Sequence, residues 1–129
     1  MSIKEKAVEL HDNGYNCAQS VLAASREYTG LDDNTALAIS AGFGGGLRSG
    51  EVCGAISGAV MAVGMKYPFI DANDAEAKAR IAELAKECVA IAQEKYGCVA
   101  CRELKGSNGV SCNEIIAFMA DVAEELMNK

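Results

Sequence analysis

Apolar residues recur at intervals of three and four along almost the whole chain, whereas β-branched runs that alternate with polar residues are absent. This spacing is typical of helices rather than strands. It predicts helices over residues 3–12, 17–28 and 35–41 in the first third of the chain. Asn16 is expected to cap the second of these helices, because its side chain can accept a hydrogen bond from an unpaired N–H group.

Residues 51–65 form a nearly continuous apolar run with no polar face. A helix of that kind is buried on all sides, so we expect it at the centre of the fold. A long amphipathic helix over about residues 74–96 and a short turn over residues 99–104 follow. Ser111 and Glu114 are spaced as a capping box for the last helix.

These elements predict an all-α fold. We expect a single domain of residues 1–129, built as a bundle of five to seven helices around the central hydrophobic helix at about residues 51–65. Half of the residues are hydrophobic, but only 5% are aromatic and there is no Trp. The core is therefore expected to consist of Ala, Leu, Ile, Val and Met, which suits closely packed helices.

The net charge, the length of the apolar run and the first residues of the chain indicate which partners and which location to expect. A formal net charge of -6 argues against a nucleic-acid partner, because nucleic-acid surfaces require clustered Lys and Arg. The apolar run at residues 52–65 is shorter than the roughly 20 residues that cross a bilayer, so no membrane insertion is expected. The first residues lack the basic start and apolar stretch of a signal peptide, which predicts a cytoplasmic location.

Cysteine is the residue type that carries the candidate chemistry. In a reducing compartment, six cysteines more often serve metal binding or redox reactions than a disulfide framework. Four of them lie at predicted helix starts, where unpaired N–H groups and the helix dipole favour the thiolate. These four are Cys17, Cys53, Cys101 and Cys112. We expect their helix starts to converge, to lower the pKa values of the thiols, and to form one redox site.

The other two cysteines have different surroundings. Cys88 lies in mid-helix within a Leu and Ile stripe, where a free cysteine commonly behaves as a small hydrophobic residue. Cys98 precedes Cys101 by three residues, a spacing at which two thiols can share a metal or form a local disulfide, so Cys98 is a further candidate ligand. Arg102 follows this pair where a c-type haem site needs His, which argues against covalent haem attachment.

A glycine-rich run at residues 42–50 is expected to break all regular structure. It lacks the Gly-Lys-Ser/Thr ending of a phosphate-binding loop and follows no predicted strand, so nucleotide binding is not favoured. Its glycines would instead let backbone approach Cys53 or a group bound there. Arg48 is the one cation of this run, and it is either a surface residue or a partner for the negative charge of a thiolate-bound cluster.

Five blocks follow one another in a defined order: Gly14-Tyr15-Asn16-Cys17-Ala18-Gln19, Gly42-Phe43-Gly44-Gly45-Gly46, Cys53-Gly54-Ala55-Ile56-Ser57-Gly58, Cys101-Arg102-Glu103-Leu104 and Cys112. Together they resemble the C_GCAxxG_C_C family of redox-active proteins over nearly the whole chain. The middle block of the family label reads Gly-Cys-Ala, so the match there rests on Cys53 and Gly58. The resemblance implies a small helical redox protein whose four cysteines are the four named above. A similar domain occurs in split-Soret cytochromes, where it accompanies an iron–sulfur centre.

Three functions are open at this point. The one we favour is an iron–sulfur cluster for electron transfer, held by the four cysteines, because soft thiolates suit iron. The second is metal-free thiol–disulfide chemistry, in which Cys53 attacks and another cysteine resolves. The third is a structural zinc site, for which only Cys98 and Cys101 have the usual close spacing. We expect an oxidoreductase or an electron-transfer protein with an unidentified redox partner, and an Ala- and Gly-rich helix surface that is compatible with a homodimer.

Overall fold

The computed structural model describes residues 2–129, and within that range it contains eight α-helices and no strand. The helices are α1 (Ile3–Asp12), α2 (Cys17–Ala24), α3 (Arg26–Thr29), α4 (Asp33–Ser40), α5 (Gly54–Lys66), α6 (Ala75–Tyr96), α7 (Cys101–Lys105) and α8 (Cys112–Met127). The all-α prediction is confirmed. None of these helices is both long enough and apolar enough to span a membrane.

The number of helices exceeds the expected five to seven because the predicted helix over residues 17–28 is divided in two. The division falls at Ser25, whose hydroxyl donates a 2.8 Å hydrogen bond to the carbonyl of Val21 one turn earlier. A serine bonded in this way competes with the helical backbone and commonly bends a helix. Ser25 therefore ends α2 and precedes α3, which then ends at the left-handed Gly30.

Helix α5 lies at the centre, as its uniformly apolar sequence predicts. It packs against α2, α6 and α8, and its side chains include Ile56 and Val63, which are fully or almost fully buried. The helix begins at Gly54 rather than at residue 51. The three residues before it are extended because they pair with the segment that precedes α7.

Glycines on α5 bring α2 into close contact with it. A Cβ on Gly54 would lie 3.0 Å from the amide nitrogen of Ala18, and a Cβ on Gly58 would lie 2.8 Å from the carbonyl oxygen of Ala18. Real Cβ atoms are rarely found so close to backbone, so only glycine permits this approach. The first turn of α2 is consequently held against the first turns of α5.

The glycine-rich run contains two compact turns, so the expectation that it breaks all regular structure is wrong. Ala41–Phe43 form a 3-10 turn. Gly45, Gly46, Leu47 and Arg48 then adopt successive left-handed conformations, with φ of 61° at Leu47 and 57° at Arg48. Gly46 is required here because a Cβ would overlap the backbone of Glu51. The turn is closed by the Glu51 amide, which donates to the Gly46 carbonyl at 3.0 Å.

The last helix is capped as predicted at one of the two expected positions. The hydroxyl of Ser111 accepts a hydrogen bond from the amide of Glu114 at 3.1 Å. The reciprocal bond, in which the Glu114 carboxylate would accept from the Ser111 backbone amide and complete a capping box, is absent from the described residues. The α8 helix packs along α1 and α5, and this contact places its first residue near the first residues of α2 and α5.

Candidate functional site

Four cysteines occupy the first positions of four helices. Cys17, Cys101 and Cys112 are the first residues of α2, α7 and α8, and Cys53 is the residue immediately before α5. All are free thiols. Cys17, Cys53 and Cys101 are buried, and Cys112 is the most exposed of the four. We refer to this set as the thiol cluster.

The start of α2 is fixed by the residues that flank Cys17. Asn16 accepts from the Gln19 amide at 3.0 Å, and the Gln19 side chain accepts from the Asn16 amide at 3.1 Å. The side-chain NH2 group of Asn16 also donates to the Ala41 carbonyl, and the side-chain NH2 group of Gln19 donates to the Leu37 carbonyl. These side chains therefore cap α2 and tie Cys17 to α4 and to the turn that follows it.

Cys53 and Cys101 are positioned by a single antiparallel bridge between Val52 and Ala100. The Cys53 amide donates to the Val99 carbonyl at 2.8 Å, and the Cys101 amide donates to the Glu51 carbonyl at 2.6 Å. Each cysteine directly follows one of the paired residues. The bridge thus fixes the starts of α5 and α7 relative to each other.

The start of α8 is brought back towards α7 by a tight loop. Within residues 103–110, the Asn108 amide donates to the Glu103 carbonyl at 3.0 Å, and the Val110 amide donates to the Leu104 carbonyl at 2.7 Å. The chain therefore leaves α7 and returns within a few residues. This return places Cys112 in the same cluster as Cys101.

The four thiols influence one another electrostatically. The neighbouring Cys53 thiol is the largest cause that raises the pKa of Cys17 strongly, and burial and Cys112 act in the same direction. Burial is the largest cause that raises the pKa of Cys101, and the nearby Cys53 and Cys112 add to it. Since neighbouring sulfurs repel when both are ionised, only part of the cluster can be thiolate at one time.

Cys53 is the thiol of the cluster whose pKa is lowered, so its thiolate form is favoured. The pKa of Cys53 is lowered to about 7: the Cys17 thiol is the largest cause, and the amides of Ala55 and Ile56 act in the same direction against the effect of burial. These amides belong to the first turn of α5, where N–H groups have no helical partner. The expectation of lowered pKa values is therefore right for Cys53 and wrong for Cys17 and Cys101, because burial and the neighbouring thiols outweigh the helix ends there.

Lys105 is a member of this site that the sequence analysis missed. Its ammonium group interacts with the Cys112 thiol, which is the largest cause that raises the pKa of Lys105, and Cys101 and Cys17 act in the same direction. Lys105 also contributes to the lowered pKa of Cys53. Its position four residues after Cys101 on α7 was the available signal, because residues at that spacing share a helix face. Lys105, rather than Arg48, is the cation among the groups that shift the pKa values of these thiols.

Tyr96 is a second group that the sequence did not indicate. Its ring packs edge-on against Phe118, with centroids 5.6 Å apart. Its hydroxyl oxygen is buried and has no hydrogen-bond partner among residues 2–129. Burial raises the pKa of Tyr96 to about 12, with smaller contributions from Glu114 and Cys53. The Tyr96 hydroxyl therefore lies buried in the field of the Glu114 carboxylate and, more weakly, of Cys53.

The remaining two cysteines have different surroundings. The sulfur of Cys98 is 3.9 Å from the Tyr96 carbonyl oxygen, and burial and Glu103, rather than another thiol, raise its pKa. Cys88 is fully buried within α6, and burial raises its pKa to about 11. Cys88 therefore packs as a small hydrophobic residue, and no other thiol contributes to the raised pKa of Cys98.

The side chains of residues 2–129 contain no group of three or more His, Cys, Asp or Glu residues arranged to hold a single metal ion. One zinc ion needs its sulfur ligands at about 2.3 Å, so these sulfurs must lie close around one point. A multinuclear cluster differs, because its cysteines bind different irons and lie further apart. The arrangement thus offers no support for the zinc alternative.

The order of these elements corresponds to a known family pattern. The family model described as "Putative redox-active protein (C_GCAxxG_C_C)" matches residues 15–126. The chain belongs to the C_GCAxxG_C_C family. The matched segment of this family member contains the whole thiol cluster and also Lys105 and Tyr96. No curated protein and no solved structure gives a significant match to the chain.

Proposed function

We propose that this C_GCAxxG_C_C protein is a thiol–disulfide redox protein in which Cys53 is the attacking cysteine and Cys17 the resolving cysteine. The observation that carries the proposal is the position of Cys53 directly before α5, where the neighbouring Cys17 thiol and the amides of Ala55 and Ile56 lower its pKa to about 7, while the pKa of Cys17 is raised. A thiol with a pKa near the ambient pH combines a large thiolate fraction with good nucleophilicity. The two cysteines thus have different roles.

The co-reactant is a disulfide, either of a small molecule or of a protein. The Cys53 thiolate attacks one of its sulfurs, so a bond forms between Cys53 and that sulfur while the other sulfur leaves as a thiolate. The ammonium of Lys105 lies in the field of the cluster and favours the anionic forms. Since Cys53 is only 4% exposed, small disulfides are favoured as the direct co-reactants.

Resolution follows from the change of charge at Cys53. The interaction with Cys53 is the largest cause that raises the pKa of Cys17. Once Cys53 is part of a mixed disulfide, it carries no negative charge, so the Cys17 proton is lost to solvent more easily. Cys17 then attacks Cys53, the second thiolate leaves, and the protein holds a Cys17–Cys53 disulfide. The protein has lost two electrons, and the co-reactant has gained them.

Cys112 provides a route from this disulfide towards the surface. It interacts with Cys17 and is the most exposed member of the cluster. The Cys112 thiolate attacks Cys17 and releases the Cys53 thiolate, which is a good leaving group because its pKa is low. This exchange moves the disulfide without changing the number of electrons in the protein. An external dithiol then reduces it and restores the starting state.

The test is anaerobic purification, metal and sulfide analysis, and peptide mapping after reaction with a small disulfide such as oxidised glutathione. We expect a colourless protein that forms a Cys17–Cys53 or Cys17–Cys112 disulfide. Cys53→Ser should abolish formation of both the mixed and the internal disulfide. The matched control is Cys88→Ala, which removes a buried thiol outside the cluster and should leave the reaction unchanged. Equal reaction of Cys53→Ser and wild type would refute the proposal.

A second candidate is iron–sulfur ligation, which one further observation favours. Cys101 has no part in a reaction between two or three thiols, yet it lies at a helix start in the same cluster. The donor set fits such a group, because four thiols and the unpaired Tyr96 hydroxyl are available in buried surroundings. Cys17, Cys53, Cys101 and Cys112 would hold the cluster, which would supply one-electron transfer.

The same anaerobic preparation distinguishes the two candidates. Visible charge-transfer bands with matching amounts of iron and sulfide would establish cluster ligation and remove the metal-free mechanism as the main function. In that case Cys101→Ser should lose iron, whereas Cys98→Ala should keep it. If no iron is bound after anaerobic purification and reconstitution with iron and sulfide, the second candidate is excluded.

A further inference from the structure

A large part of the exposed apolar surface lies on one side of the molecule. Eight large hydrophobic side chains within residues 2–129 are exposed. Five of them, Ile39, Leu47, Val52, Met65 and Val89, lie on a surface formed by α4, the left-handed turn, α5 and α6. Their exposed fractions range from 38% to 60%. We call this surface, which also includes Met61, the apolar face.

The apolar face is continuous rather than a set of scattered residues. A groove of about 490 Å³ runs along it and contains Leu47, Val52 and Val89. Ile39 and Met61 also line the neighbouring depression, so the two depressions adjoin. Val89 joins the groove to a third depression on α6. Monomeric proteins rarely expose a contiguous apolar patch of more than a few hundred Å², and larger patches mark interaction sites.

An unusual backbone conformation presents one of these side chains at the surface. Leu47 and the adjacent Arg48 adopt the left-handed conformation, which residues with a side chain rarely adopt. The Leu47 side chain remains 53% exposed in this conformation. Its burial within one chain is therefore incomplete, and a partner on the apolar face would cover the remainder.

Charge indicates what kind of partner fits this surface. The residues that line the three depressions number close to twenty, and Lys86 is the only charged residue among them, although 23% of the chain is charged. Two copies of this chain each carry a net charge of -6, so they would repel each other if acidic surfaces met. At the apolar face they can meet without opposing like charges. Homodimer interfaces are also more apolar than interfaces with transient partners.

The size and shape of the apolar face also fit a second copy of the chain as its partner. One side of a stable interface comprises about 20–30 residues, and the residues that line the three depressions approach that number. In a twofold dimer the same surface serves both partners, so protrusions must fit depressions of the same face. Ile39, which is 60% exposed, and Leu47 protrude beside the groove. The long α6 helix adds to the face, because only Leu84, Cys88 and Ala92 of its 22 residues are buried within the chain.

We propose that the apolar face is the interface of a symmetric homodimer, in which Ile39 and Leu47 of each copy enter the groove of the other. None of the six cysteines lines the three depressions. The proposal therefore does not depend on the redox chemistry.

The test is the mass in solution of the full chain under reducing conditions, measured by analytical ultracentrifugation across the micromolar range. We expect wild type at twice the chain mass of 13.5 kDa. Ile39→Glu and Val89→Glu should sediment as monomers, because each places a charge at the centre of the contact. The matched control is Ile70→Glu, which changes a side chain that is 91% exposed outside the face. It should remain dimeric.

A second measurement needs no substitution. Amide hydrogen exchange of wild type should show protection of residues 36–47 and 85–93 that falls on dilution, whereas residues 70–74 should exchange equally at all concentrations. Circular dichroism checks that the variants keep the helical content of wild type. A monomeric wild type across the whole range, or a dimer that survives both Ile39→Glu and Val89→Glu, would overturn the proposal.

Discussion

Gly58 of α5 faces Ala18 of α2 so closely that a Cβ on the glycine would lie 2.8 Å from the Ala18 carbonyl oxygen. The neighbouring Gly54 faces the amide nitrogen of the same residue. Ala18 directly follows Cys17, and Gly54 directly follows Cys53. The contact between the two helix backbones therefore determines how near these two thiols lie, and with it the pKa values of both.

Gly58→Ala should destabilise the fold and disturb the thiol pair. Because the new methyl group meets backbone, which cannot rotate away, we expect a loss of about 1–3 kcal/mol in the free energy of unfolding, measured by urea denaturation. The matched control is Gly64→Ala in the same helix, where the nearest atom is a side-chain carbon 3.8 Å away. It should stabilise α5 by about 0.5–1 kcal/mol. Equal effects of the two substitutions would contradict the close contact.

The reactivity of Cys53 should depend on pH with a midpoint near neutrality. Its pKa is lowered to about 7, so the thiolate is present above that pH and is lost as the pH falls through it. The rate of alkylation by iodoacetamide, followed for each peptide by mass spectrometry, should rise accordingly. Cys88, with a pKa raised to about 11, should remain unmodified over the same range and provides an internal comparison. A Cys53 midpoint above pH 8 would contradict the assignment.

Cys17→Ala should raise the pKa of Cys53, because it removes the largest cause that lowers it. Cys17→Ser keeps a hydroxyl that can donate a hydrogen bond, so its effect should be smaller than that of alanine. The measurement is the midpoint of the alkylation profile of Cys53 in each variant. The midpoint should be lowest in wild type, higher in Cys17→Ser and highest in Cys17→Ala. A lower midpoint in Cys17→Ala would mean that the Cys17 thiol does not stabilise the Cys53 thiolate.

Lys105→Met should slow the reaction of Cys53 at neutral pH, since it removes a positive charge that favours the thiolate while keeping an unbranched side chain. The rate with wild type should also fall as salt is added, because Lys105 lies at the surface and its charge is screened. Lys78→Met, on the exposed side of α6, is the control. A variant that retains both the rate and the salt dependence of wild type would show that Lys105 has no influence.

Tyr96→Phe should not destabilise the metal-free protein. The hydroxyl is buried without a hydrogen-bond partner, so its removal relieves a desolvation cost of about 1–3 kcal/mol and keeps the ring contact with Phe118. Urea denaturation of the two proteins measures this difference. If the variant unfolds at lower urea than wild type, the hydroxyl has a partner in solution.

Local signals in the sequence were sufficient for most of the helices. The residues of α1, 3–12, were predicted to the residue, and Asn16 caps the start of α2 as expected. Such boundaries depend on a few neighbouring residues, because a capping side chain bonds to an amide two or three positions away. The start of α5 was placed three residues too early, since residues 51–53 pair with a segment almost fifty positions later in the chain. No local pattern records that pairing.

The sequence by itself determined the helical class, the central position of α5 and the four cysteines at helix starts, because periodicity and capping are local. Only the tertiary structure decided which thiol is acidic. The pKa of Cys53 is lowered by Cys17, which is distant in sequence, whereas burial and neighbouring sulfurs raise the pKa of Cys17 and Cys101. The position of Lys105 beside the thiols depends in the same way on how the helices pack. Charge interactions act through space, so they follow the folded arrangement rather than the order of residues.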